Sequence, residues 1–194
     1  IFLKNLHKKE KIELKNILLN KTDLDLQFID IKNFYNHLKN SISKPIYIKN
    51  SNFFFRSDEK EIVSISKIKS FEYFFDYQNK EKKLNILGNL FGSSFRFNWE
   101  KNFSNPYITQ SNIKFKNPNL NISNKFNNED EDFTTVKTYV KFLRNSIDLN
   151  YKLNKDNIEF IDDKSEKIYH SKLVGNVKLN PFFFDVNLIL NGIR

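Results

Sequence analysis

The sequence has no cysteine, no methionine and no alanine, and it has only four glycines and four prolines. Without cysteine, the chain can form no disulfide and can use no thiolate as a nucleophile or metal ligand. Lysine, asparagine, isoleucine and phenylalanine are abundant instead, which is the bias that AT-rich codons produce. The net charge of +9 at pH 7 therefore follows from lysines spread along the whole chain.

Arginine is scarce among the basic residues. The only guanidinium groups are those of Arg56, Arg96, Arg144 and Arg194. Proteins that recognise specific nucleic acids usually bind phosphates and base edges with bidentate hydrogen bonds from arginine. An excess of lysine with so few arginines therefore argues against specific nucleic-acid recognition. We therefore expect no specific nucleic-acid partner.

Long apolar runs are also missing. A transmembrane helix needs about 18 or more apolar residues. The best candidate, 181–190, is shorter and contains Asp185 and Asn187, so it is predicted to be a strand. Because the chain begins at Ile1 and has no methionine, we expect 1–194 to be one β-rich fragment of a longer protein, with any membrane anchor before it.

Strict alternation of apolar and polar residues is the dominant pattern. It recurs in five segments: 24–28, 46–49, 95–100, 147–154 and 182–191. A period of two places each apolar set on one side of a pleated sheet, and one-sided strands are typical of antiparallel sheets. The predicted fold is mostly β, an elongated antiparallel curved sheet that forms an open trough or groove.

Two segments predict short helices instead. Apolar residues at 31, 34, 35, 38 and 42 follow helical spacing and end at the Ser-Lys-Pro breaker 43–45, and a similar pattern covers 133–144. The acidic run 129–132 is interpreted as a solvated loop leading into the second helix rather than as a metal site. Residues 4–20 are compatible with either a helix or a strand.

Internal repetition organises the chain. A Ser/Asp-Asn turn followed by an alternating strand occurs at 51–55, 111–115 and 156–160, and a Gly-Asn pair before an aromatic strand occurs at 88–89 and 175–176. Asn and Gly favour turns, bulges and bends. We assign repeat unit 1 to about 31–103 and unit 2 to about 133–192, with an additional strand pair in unit 1 near 62–77.

Catalytic chemistry has no candidate in this sequence. His7, His37 and His170 are isolated and lack the spacing of a zinc site, and there is no phosphate-binding glycine loop or nucleophile motif. We therefore expect no catalytic residue, no metal site and no cofactor, and the chain is predicted not to be an enzyme.

The aromatic and aliphatic strand faces are the remaining candidate site. They either fill the core of a closed sandwich or line an apolar surface left open to a ligand, and the sequence leaves both possibilities open. The candidate lipid-facing residues are Phe53, Phe55, Phe95, Phe97, Trp99, Leu149, Tyr151, Phe182, Phe184, Val186 and Leu188.

The segments 46–55, 84–99 and 147–190 together resemble the AsmA-like family of envelope proteins of Gram-negative bacteria. The resemblance lies in the Asn-Ile-x-Phe turns and in the Leu-x-Gly-Asn hairpins that precede a Phe-x-Phe strand. It implies a β-trough in the periplasm, held at the inner membrane by an N-terminal anchor, along which phospholipid passes between the membranes. The implied partners are phospholipid acyl chains, and the implied role is outer-membrane biogenesis. The alternative is a passive structural or adhesion β-sandwich with a closed core.

Overall fold

A computed structural model describes residues 3–4, 13–14, 16–27, 30, 33, 44–57, 59–130, 132–154, 157–160, 172–179 and 182–189. Within these ranges, side chains are described only for residues from 16 to 160. The predicted helix 31–42 lies outside the described residues except for Asn33.

The described chain is built from β-strands. They are β1 (Leu3–Lys4), β2 (Glu13–Leu14), β3 (Ile17–Asn20), β4 (Asp23–Gln27), β5 (Ile46–Arg56), β6 (Ile62–Asp76), β7 (Glu81–Leu90), β8 (Ser93–Asn102), β9 (Ile108–Phe115), β10 (Leu120–Asn127), β11 (Thr134–Phe142), β12 (Asn145–Leu153), β13 (Asn157–Phe160), β14 (Lys172–Leu179) and β15 (Phe182–Ile189). β1 and β2 pair with each other, and the rest form one 13-stranded sheet.

From β6 to β15 every strand pairs antiparallel with the strand before it in sequence. The sheet is open and uncurled, so its apolar side is an open face rather than a trough. The mostly β, antiparallel fold class is confirmed. At the first edge, β3 and β4 run parallel to β5. Parallel pairing needs a crossover connection of a dozen or more residues, and the sequence between the end of β4 and the start of β5, 28–45, is long enough for one.

The apolar core lies on one side of the sheet. Its buried members are Ile48, Phe53, Ile68, Phe71, Tyr73, Leu84 and Trp99. Cross-strand pairing puts these side chains in neighbouring positions, as for Ile48 opposite Phe71 and Leu84 opposite Trp99. We call this side of the sheet the apolar face and the other side the polar face.

A bulge crosses the first strands of the large sheet. Ile68 pairs with Gly88 and Ser70 with Leu87, so β6 has one extra residue, Lys69, relative to β7. On the other side of β6, Lys69 lies opposite Asn50 of β5, whose φ is +49°. Because β5 and β6 both carry the extra residue, their alternation reverses together and their apolar residues stay on one face.

The second predicted helix, 133–144, is wrong. Residues 134–142 form strand β11, which is paired on both sides, and 143–144 form the turn into β12. A spacing of four residues, as between Val136 and Val140, satisfies a period of two as well as a helical period. The β-branched residues of this segment favour a strand. The acidic run before it is a loop at its described residues, as predicted.

Two other local predictions are also wrong. The Ser-Asn pairs 51–52 and 111–112 are not turns, because they lie inside β5 and β9. Their amides bond across strands instead: Asn52 Nδ2 donates to Asp23 Oδ1 at 2.8 Å, and Asn112 Nδ2 donates to Ser123 Oγ at 2.6 Å. Residues 62–76 form one long strand rather than a strand pair.

Both Gly-Asn elements lie in hairpins, but the hairpins differ in register. Gly88 faces Phe95 in the β7–β8 hairpin, which turns at Phe91 and Gly92 with positive φ at both residues. In the β14–β15 hairpin Gly175 faces Val186. The sequence separation between the glycine and its partner is four residues longer in the second hairpin. Because four is an even number, the alternation of the two faces is the same in both hairpins. The repeat boundaries 31–103 and 133–192 stay a prediction.

Candidate functional site: the apolar face

A continuous row of apolar side chains crosses the apolar face. Successive cross-strand pairs join Ile48, Phe71, Ile86, Phe97, Ile113, Ile122, Val140 and Ile147. We call this set the apolar row. At roughly 4.8 Å between neighbouring strands, a row across eight strands is about 34 Å long. Ile48 and Phe71 are buried, while the six members from Ile86 onward are half-buried.

Seven of the predicted lipid-facing residues have described side chains, and all seven lie on the apolar face. Phe53 and Trp99 are buried, at 8% and 6% exposure. The half-buried ones are Phe55, Phe95, Phe97, Leu149 and Tyr151. The structure therefore brings residues from β5, β8 and β12 to one side of the sheet, as the alternation predicts.

The other four predicted residues, Phe182, Phe184, Val186 and Leu188, belong to β15, where only the backbone is described. Pairing leads from Tyr151 to Phe160, then to Gly175, then to Val186. In the alternation of the sheet, these four positions therefore belong to the same face as positions 95, 97 and 99.

A polar network interrupts the apolar face beside the apolar row. Asn124 Nδ2 donates to Ser111 Oγ at 3.2 Å, and Thr138 Oγ1 donates to Asn124 Oδ1 at 2.7 Å. The Tyr151 hydroxyl lies 3.2 Å from Thr138 Oγ1. Tyr151, predicted to be lipid-facing, therefore also has a structural hydrogen-bonding role. Such a network fixes the positions of four neighbouring strands, β9 to β12.

Two lysines on the same face were missed by the sequence analysis. Lys82 is 1% exposed, lies directly opposite Lys101, and has its Nζ 5.4 Å from the centre of the Phe103 ring. Burial lowers the pKa of Lys82, and the neighbouring charge of Lys101 lowers it further. The sequence could have placed Lys82 on the apolar face, because Lys82 precedes Leu84 by two residues in β7 and such residues share a face.

The polar face carries a ladder of amides. Asn85, Asn98 and Asn112 are directly paired on β7, β8 and β9. Asn98 Nδ2 donates to Asn85 Oδ1 at 2.7 Å, and Asn112 Nδ2 donates to Asn121 Oδ1 at 2.8 Å. These hydrogen bonds make the polar face chemically different from the apolar row.

Within the described ranges, no group of three or more histidines, cysteines or carboxylates could hold a metal ion. His7, His37 and His170 all lie outside those ranges. No helix among the described residues is long and apolar enough to cross a membrane. The absence of catalytic, metal and cofactor sites therefore stays a prediction.

Comparison with known proteins finds no matching family model, no matching curated protein and no matching solved structure.

Proposed function

We propose that this chain is a non-catalytic segment of an envelope protein whose apolar face binds phospholipid acyl chains and lets them move between the inner and the outer membrane. The observation that carries this proposal is the apolar row, which crosses eight strands with six half-buried members. The sequence motifs that resemble the AsmA-like family support the same function, a periplasmic location and an anchor outside this segment.

Acyl chains fit the chemistry of the row. Each methylene removed from water contributes about 0.8 kcal/mol, so a chain lying along several strands is held without any polar contact. Because this interaction is non-directional, the chain can slide from Ile86 towards Ile147 with little change in free energy. A hydrogen-bonded site would fix the ligand in one place.

A passive structural scaffold is the second candidate. The network of Asn124, Thr138 and Tyr151 favours it, because hydrogen-bonded polar groups on the apolar face stabilise a sheet without serving a lipid. Val136, at 0% exposure, is as fully buried as a residue in a sealed core.

Photocrosslinking separates the two candidates. Photoreactive residues at positions 97 and 147 test the apolar row, and positions 96 and 148, one residue further along the same strands, test the polar face. We expect phospholipid crosslinks at 97 and 147 only. Labelling of both faces alike, or of neither face in a folded protein, would support the scaffold instead.

A further inference from the structure

A cleft of about 560 Å³ lies where β5 to β8 cross the bulge. It is lined by Asn50, Ser51, Asn52, Lys67, Ile68, Lys69, Leu87, Gly88, Asn89, Ser94 and Phe95. We call it the bulge cleft. Its volume is within the range of small-molecule sites, roughly 300–1,000 Å³. The extra residue Lys69 in β6 is part of its lining, so the irregularity in the sheet contributes directly to this concave surface.

Polar side chains follow one another along the bulge cleft, and those of Lys67, Asn89 and Ser94 offer hydrogen-bond donors. Asn52 pairs with Lys67, Lys67 with Asn89, and Asn89 with Ser94, so four strands contribute adjacent polar side chains. These positions alternate with those of the apolar face, and the cleft is therefore distinct from the apolar row.

The charged side chains that line the cleft are all positive. Its lining contains the ammonium groups of Lys67 and Lys69, both exposed. The Asp23 carboxylate, outside the lining, already accepts a hydrogen bond from Asn52. In the next row of the polar face, Arg96 lies directly opposite Lys114. Like charges directly opposite each other destabilise a sheet. Neither Lys67 nor Lys69 takes part in a salt bridge within the described ranges. An anion bound in the cleft would be attracted by the two ammonium groups of its lining and by the charges of the next row.

We propose that the bulge cleft binds a phosphate group. Ammonium, amide and hydroxyl donors together match the acceptor oxygens of phosphate, and charge-assisted hydrogen bonds are the stronger kind. Leu87, on the polar face opposite Arg96, provides apolar contact for the organic part of the ligand. The phosphate belongs either to the head group of an anionic phospholipid or to a soluble phosphate ester. The site goes beyond the acyl-chain function, because it uses other residues and can exist without it.

The test uses two probes on the same protein. Inorganic phosphate is titrated while the backbone amide resonances of Asn52, Lys67 and Asn89 are followed. Vesicles of phosphatidylcholine, with and without phosphatidylglycerol, are used in a sedimentation assay. The cleft variant is the double substitution Lys67→Gln/Lys69→Gln. The control variant is Lys125→Gln/Lys137→Gln, which removes two exposed lysines that pair directly on the polar face. They lie four to five strands from Lys67, about 19 Å or more, which is beyond a Debye length at physiological salt.

We expect the cleft variant to bind phosphate about tenfold more weakly than wild type. Its association with phosphatidylglycerol vesicles should fall about 25-fold, at roughly fivefold per lysine. The control variant should stay within about twofold for phosphate. Binding of both probes, or of vesicles only, identifies a lipid head group, and binding of phosphate only identifies a soluble ester. The proposal is overturned if neither probe binds, or if the control variant loses as much affinity as the cleft variant.

Discussion

Replacing Gly88 by alanine should destabilise the sheet at the bulge. A Cβ at this position would lie 2.6 Å from the Lys67 carbonyl oxygen, 3.0 Å from Phe95 Cε1 and 3.3 Å from Ile68 Cδ1. The first contact is with the backbone of a paired strand, so β6 and β7 must separate locally to relieve it. Overpacking of this kind costs about 1–3 kcal/mol. With a urea slope of about 2 kcal/mol per molar, the unfolding midpoint should fall by roughly 0.5–1.5 M.

Gly92→Asn is the matched control for this experiment. A Cβ at Gly92 meets nothing within 4 Å, and its φ of +76° is one that asparagine tolerates. Its unfolding free energy should therefore change by no more than about 0.5 kcal/mol. Urea unfolding followed by the fluorescence of the single tryptophan compares the two variants. If Gly88→Ala is no less stable than Gly92→Asn, the close approach of β6 and β7 is not a real constraint and the bulge assignment is wrong.

Two further perturbations test other parts of the sheet. Val136 is 0% exposed and Val63 is 70% exposed, so Val136→Ala should lower the unfolding free energy by about 2 kcal/mol and Val63→Ala by less than about 0.5 kcal/mol. Equal losses in urea unfolding would show that the apolar face is not packed. The hydrogen bond from Lys83, with further bonds from Asn79, lowers the pKa of Asp76 from 3.8 to about 2. Asp76 therefore stabilises the folded state above about pH 4 and loses this contribution as the pH falls towards 2. The stability advantage of wild type over Asp76→Asn should be constant above about pH 4 and shrink below it, and an advantage unchanged down to pH 2 would contradict the ion pair.

Alternation predicted most of the sheet because it depends only on one-sided burial. The segments 46–49 and 95–100 are strands as expected, 147–154 is a strand as far as residue 153, and their apolar residues share a face. The same periodicity could not locate the bulge. An extra residue such as Lys69 can be recognised only from the neighbouring strand, which has no residue opposite it. It also could not place the apolar row, which depends on register between strands.

The errors have a common physical origin. Val136 and Val140 fit a helix and a strand equally well, and only pairing with β10 and β12 decides between them. Asn52 and Asn112 favour turns locally, but a partner side chain on the neighbouring strand offers a better hydrogen bond. In each case a tertiary contact overrides a local preference.

Quenching of Trp99 tests the proposed lipid-binding face most directly. Trp99 is the only tryptophan of the chain, and it lies on the apolar face two residues from Phe97 of the apolar row. Phospholipid with brominated acyl chains should quench its fluorescence, whereas the same lipid without bromine should not. The double variant Trp99→Phe/Arg96→Trp moves the fluorophore to the polar face at an exposed position, and it should not be quenched. Absence of quenching in the wild type, or equal quenching in both proteins, would contradict acyl-chain binding on the apolar face.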